Sequence, residues 1–123
     1  MKHFIDINNF KKTEIDEIIA LAKKIKKNPK KYSTLCRNKT LGLIFEKQSL
    51  RTRLSFNVGM KKLGGFVLEL QSKDIGFDNK REKAEDVLNV LSQYIDFLMI
   101  RNDNHKLIVN LSKENILPII NVL

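Results

Sequence analysis

The sequence predicts an α/β fold, a three-layer αβα sandwich around a parallel sheet of roughly four strands. Two patterns predict it. Short, almost continuously apolar runs of strand length alternate with longer segments whose apolar residues recur every three or four positions. The order is one helix, then strand and helix three times, then a last strand. Right-handed crossovers turn such an order into an open sheet covered on both faces. The length of 123 residues suits one domain.

The first helix is read in "KKTEIDEIIALAKKIKK", where Ile15, Ile18, Ile19, Ala22 and Ile25 form one apolar face. Thr13 is its expected N-cap, acidic residues fill the first turn, and Asn28-Pro29 ends it. "TLGLIF", Thr40 to Phe45, reads as the first strand. A second helix is expected from about Thr52, carrying Leu54, Phe56, Met60 and Leu63 and stopping at Gly64-Gly65. "FVLEL", Phe66 to Leu70, is the second strand, followed by a polar loop, "QSKDIGFDNKRE". The next helix places Ala84, Val87, Leu88, Leu91 and Tyr94 on one face. "IDFLMI", Ile95 to Ile100, is the third strand, and Asn102 or Asp103 caps a helix through Leu107, Ile108 and Leu111. "ILPIINV", Ile116 to Val122, is the last strand. Pro118 has no N–H to donate, which places that strand at an edge or beside an irregularity.

Composition narrows the function classes. Hydrophobic residues make up 42% and charged residues 30%, as in an ordinary soluble globular protein. No apolar run approaches the ~20 residues of a membrane span, and "MKHFIDINNF" lacks the pattern of a secretory signal. The expectation is a cytoplasmic protein with no membrane partner. The single cysteine, Cys36, cannot form an internal disulfide and is read as a small part-buried side chain. The net charge of +9 owes much to "KKIKKNPKK", residues 23 to 31. Lysines at a helix tail are most simply a solvated face, and no aromatics alternate with them to stack bases, so no nucleic-acid partner is expected. His3 and His105 stand apart from any metal-spaced set of Cys or carboxylates, so no metal is expected.

The stretch "EKQSLRTRLSF", residues 46 to 56, concentrates arginine and hydroxyl side chains where the first strand hands over to a helix. Open α/β sheets bind ligands outside the carboxyl ends of their strands. A helix N-terminus offers free N–H groups and partial positive charge there. Ser49 and Thr52 add hydroxyls, and Arg51 adds a forked donor matching two phosphate oxygens. Arg101, at the end of the third strand, supplies a second cation. An anion of phosphate size and a solvated charged face both fit these spacings. No glycine-rich phosphate loop occurs, and Ser49 has no evident histidine partner, so nucleotide hydrolysis and a serine triad are disfavoured.

"FEKQSLRTRLSF", with "LGG" at residues 63 to 65, resembles the Ser-Thr-Arg-Thr-Arg signature of the aspartate and ornithine carbamoyltransferases. "MKHFIDI", "LIFEK", "VLSQYIDFLMIR" and "LPIINVL" resemble the ornithine branch, so the likeness covers essentially the whole chain. The resemblance implies a carbamoyl-phosphate-binding domain over residues 1–123, with carbamoyl phosphate and ornithine as substrates, no cofactor, and a homotrimer. By motif, Ser49, the backbone at Leu50, Arg51 and Thr52 would hold the phosphate. Arg101 would reach the carbonyl oxygen as well as phosphate, so Arg101 and Thr52 carry the catalytic expectation. Arg53 would brace the loop, with Asp74 a further supporting candidate.

The sequence also departs from the family pattern. Leu50 stands where the signature has threonine, and Gln48 where proline is usual. Asp74-Ile75-Gly76 replaces Gln-Leu-Gly, Val87 replaces a threonine beside the acidic Glu82 and Asp86, and the loop between Gly76 and Glu82 is longer. The family's His-Pro-x-Gln segment and its amino-acid-binding domain are not found within the 123 residues, so the expectation is an N-terminal fragment that does not turn over alone. The alternatives are aspartate as the acceptor, a non-catalytic anion- or RNA-binding fragment, and a remnant without function.

Overall fold

The computed structural model describes residues 1–45, 49–75 and 83–122, with only the backbone given for residues 73 and 74. Gln48, Gly76 and Glu82 lie outside these residues, as does the side chain of Asp74. The elements are α1 (Lys12–Lys27), β1 (Thr40–Phe45), α2 (Leu50–Lys62), β2 (Phe66–Gln71), α3 (Ser72–Ile75), α4 (Ala84–Ser92), β3 (Phe97–Arg101), α5 (His105–Lys113) and β4 (Ile119–Asn121). The four strands form one parallel sheet in the order β2-β1-β3-β4. The expected αβα architecture is therefore present.

Strand order and handedness together decide where the helices go. From β1 the chain moves one way to β2, then returns across β1 to β3 and on to β4. Right-handed crossovers that run in opposite directions put α2 on one face and α4 and α5 on the other. Side-chain alternation agrees with this. Leu41 and Leu43 of β1 and Met99 of β3 pack with Met60 of α2. Ile44, Leu98 and Ile100 pack with Leu88 of α4 and Ile108 and Leu111 of α5. All four described residues from Leu41 to Ile44 are buried, so β1 is the covered centre of the sheet.

Several boundaries differ from the sequence expectation. Lys11, not Thr13, is the N-cap of α1: its backbone N–H donates to Glu14 Oε1 at 3.1 Å, a bond that does not depend on the capping side chain. No residue of α1 is buried, and Ile18 and Ile19 remain 46% and 48% exposed, so the expected core face of this helix lies largely open. α2 begins at Leu50, two residues early, because Ser49 is already the extended cap residue with φ −142°. β3 starts at Phe97. Ile95 precedes it as a buried loop residue, and Tyr94 is 71% exposed instead of facing the core. α5 is capped by Asn104, whose side chain accepts from Leu107 N–H at 3.1 Å, while Asn102 accepts from the Asn104 N–H. The short helix α3 occupies the start of the expected polar loop.

β4 is shorter than the run suggests, spanning three residues. It is an edge strand, and Pro118 sits just before it with its carbonyl accepting from Leu98 N–H at 2.9 Å. Gly64 closes α2 with φ +86°, the left-handed conformation expected of a helix-ending glycine. Cys36 is half-buried and unpaired.

Candidate functional site

Strand order reverses at β1: its successor β2 lies on one side and β3 on the other. The crevice at such a switch point, beyond the carboxyl ends of the two diverging strands, is where open α/β sheets bind ligands. The segment after β1 and the last residue of β3 meet there, with Phe45 and Arg101 in register. A depression of about 550 Å³ is lined by Ser49, Leu50, Arg51, Thr52 and Arg101. These are the five residues that the sequence singles out, brought together from positions up to 52 apart.

Thr52 is the hub of the depression. Arg101 Nη1 donates to Thr52 Oγ1 at 3.2 Å, and Ser49 Oγ donates to the same oxygen at 3.1 Å. A hydroxyl oxygen offers two lone pairs and one proton. With both lone pairs engaged, the Thr52 proton is left to donate to a third group. Ser49, the N-cap, makes no side-chain bond to the helix backbone, so the N–H groups of the first turn of α2 have no partner from their cap. Arg51 is exposed on the rim, while Thr52 and Arg101 are half-buried. The depression thus presents two guanidinium groups, a directed hydroxyl and a helix N-terminus, and among the described residues no carboxylate lines it.

Arg53 points elsewhere. Its Nε lies 2.9 Å from Glu69 Oε1 of β2, and its guanidinium carbon lies 5.1 Å from the Phe45 ring centroid. Asn57 Nδ2 donates to the Arg53 carbonyl at 2.8 Å and approaches Glu69 Oε1 at 3.4 Å. This set ties the start of α2 to β1 and β2, as a brace would. Glu69, Phe45 and Asn57 were not legible as partners of the site. The single signal was a carboxylate inside the otherwise apolar run "FVLEL". Among the described residues, no three His, Cys, Asp or Glu side chains converge as a metal site needs, and no helix is long and apolar enough to cross a membrane.

Comparison with known proteins agrees with this geometry. The family model described as aspartate/ornithine carbamoyltransferase, carbamoyl-P binding domain, matches residues 2–123. The ornithine carbamoyltransferase of Campylobacter hominis is 43% identical over 123 residues, covering 98% of this chain and 40% of that protein. The aspartate carbamoyltransferase catalytic subunit of Clostridium novyi is 39% identical over 120 residues, 98% of this chain and 39% of that protein. The solved structure of ornithine carbamoyltransferase from Pyrococcus furiosus matches with a TM-score of 0.88 at 36% identity, covering 98% of this chain and 39% of that one. The chain spans about two fifths of the length of the curated relatives it matches. A match to the family's carbamoyl-phosphate-binding domain along nearly its whole length, on the fold those relatives share, makes this chain a member of the aspartate/ornithine carbamoyltransferase family.

Proposed function

We propose that this chain is the carbamoyl-phosphate-binding part of a cytoplasmic ornithine carbamoyltransferase, which makes citrulline and phosphate from ornithine and carbamoyl phosphate in arginine biosynthesis. The observation that carries the reading is the convergence of Ser49, Arg51, Thr52 and Arg101 on one depression at the switch point of the sheet. Ser49, the Leu50 N–H, Arg51 and Thr52 hold the phosphate, and Arg101 reaches across to the carbonyl oxygen. The δ-amine of ornithine attacks the carbamoyl carbon. The new C–N bond forms, the C–O bond to phosphate breaks, and the nitrogen sheds a proton that the leaving phosphate can accept. Charge builds on the carbonyl oxygen and on the departing phosphate, where fixed donors stabilise it without reorganising. Neither a metal nor a cofactor enters this scheme.

Ornithine is favoured as acceptor by the identity to the Campylobacter hominis enzyme and by the flanks of the signature. Aspartate is the second reading, supported by the 39% identity to the Clostridium novyi catalytic subunit. A homotrimer fits the apolar stripe along α2, where Leu50, Leu54 and Val58 recur every four residues and stay exposed.

The direct test is calorimetric titration of carbamoyl phosphate into the purified chain, with Arg51→Ala beside it. Weak binding that disappears in the variant supports the site, and unchanged binding in Arg51→Ala removes it. The purified 123 residues are expected to form no detectable citrulline, and turnover by them would refute the fragment reading. In the longer enzyme, comparing ornithine with aspartate as acceptor decides between the two readings.

A further inference from the structure

The positive charge of this chain is segregated. From Ile18 to Phe45 the sequence carries Lys23, Lys24, Lys26, Lys27, Lys30, Lys31, Arg37 and Lys39, with no aspartate or glutamate. Those eight cations supply nearly all of the net charge of +9, because the remaining 15 basic residues face 14 acidic ones.

The fold concentrates part of this charge further. The 3-10 turn at Pro29–Tyr32 folds back on the last turns of α1. Lys24, Lys27 and Lys31 thereby line one hollow of about 460 Å³, together with Asn28 and Tyr32. Lys31 Nζ sits 5.7 Å from the Tyr32 ring centroid. Among the described residues, the ion pairs are Lys2–Glu14, Lys39–Asp96 and Arg53–Glu69, so no lysine of the run from 23 to 31 has a carboxylate partner.

Attraction to the carboxyl end of α1 accounts for Lys24, Lys26 and Lys27. It does not account for lysines in the turn beyond, nor for three ammonium groups around one concavity, where like charges repel. A multivalent anion relieves that repulsion, and the Asn28 amide and Tyr32 hydroxyl add neutral donors. The hollow lies away from the Arg51 depression along the chain and the sheet. Its turn leads into the amino end of β1, whereas Ser49 to Thr52 follow the carboxyl end.

We propose that this hollow binds a compact polyvalent phosphate of the pyrophosphate or tripolyphosphate class, as a second anion site independent of Arg51 and Arg101. Only phosphate is read there, since one tyrosine offers no series of rings on which bases could stack.

The test is titration of tripolyphosphate into the 123-residue chain at low ionic strength, followed by backbone amide NMR and calorimetry. The expected result is a set of shifts centred on Asn28 and Tyr32. Affinity should fall about tenfold in Lys24→Gln/Lys27→Gln/Lys31→Gln, as removing three exposed ion pairs implies. Lys106→Gln/Lys113→Gln, on α5, should stay within about twofold because general charge alone is screened by salt. Arg51→Ala should also leave tripolyphosphate binding intact, so failure here and failure of the carbamoyl-phosphate reading are separable. Parent-like binding by the triple lysine variant overturns the proposal, as does loss of binding in Arg51→Ala. So does binding of an oligoribonucleotide without tripolyphosphate, which marks a diffuse electrostatic surface instead of a site.

Discussion

Thr52 Oγ1 receives protons from both Arg101 and Ser49, so removing that one oxygen unties two side chains at once. Thr52→Val keeps the shape and removes the hub. A hydrogen bond to a charged group contributes ~1.5–3 kcal/mol, so carbamoyl phosphate affinity should fall roughly ten- to a hundredfold. Calorimetry on the two proteins checks this, and a change under twofold would show that Thr52 does not donate to the anion. Leu50 is the opposite case. Its side chain is 72% exposed at the edge of the depression, so Leu50→Thr adds a hydroxyl at little cost to folding. Carbamoyl phosphate binding by that variant should equal or exceed that of the parent. Glu69 pairs with Arg53 at 2.9 Å, and both side chains are more than a third exposed. Glu69→Gln should therefore lower stability by less than ~1 kcal/mol, measurable as a small shift in urea midpoint.

At the scale of elements, α1 and α4 make a sharp contrast. α4 buries Val87 and Leu88 against the sheet, whereas α1 buries nothing and leaves Ile18, Ile19 and Leu21 nearly half exposed. Leu88→Ala should cost ~2–5 kcal/mol, and Ile18→Gln within ~0.5 kcal/mol, on parallel denaturation curves. The amino end of α1 is instead held by charge. Glu14 takes a side-chain bond from Lys2 and the backbone N–H of Lys11, which together hold its carboxyl below the usual value of 4.5. A folded-state pKa below the unfolded one stabilises the fold at pH values above the unfolded value. That stabilisation is lost as pH falls through the folded value. Glu14→Gln should flatten the stability curve in this acidic window, read by thermal melts between pH 3 and 6, roughly the span over which carboxylates titrate.

For the molecule as a whole, the sheet and the site were legible for different reasons. β1 and β3 are fully covered strands, so their apolar runs stand out in one dimension. Ser49, Arg51, Thr52 and Arg101 were legible because each sits at a strand end or a helix start, positions that topology turns toward ligands. The sequence suggested a bracing Arg53 but not its partners, because Phe45 and Glu69 come from two strands whose pairing no local pattern specifies. The exposure of α1 was equally hidden: an amphipathic pattern states which face is apolar, not whether anything covers it.

The position of β1 has a further consequence, for how the chain is made. The strand at the centre of the sheet is the first to leave the ribosome, and Leu41 pairs with Phe97 far downstream. At ~5–20 residues per second of synthesis, β1 waits about 3–11 s for that neighbour. Until β2 follows, both edges of this apolar strand are unpaired, and the edge that β3 will cover stays open through the whole interval, so a buried strand of the finished protein is an aggregation-prone one of the unfinished chain.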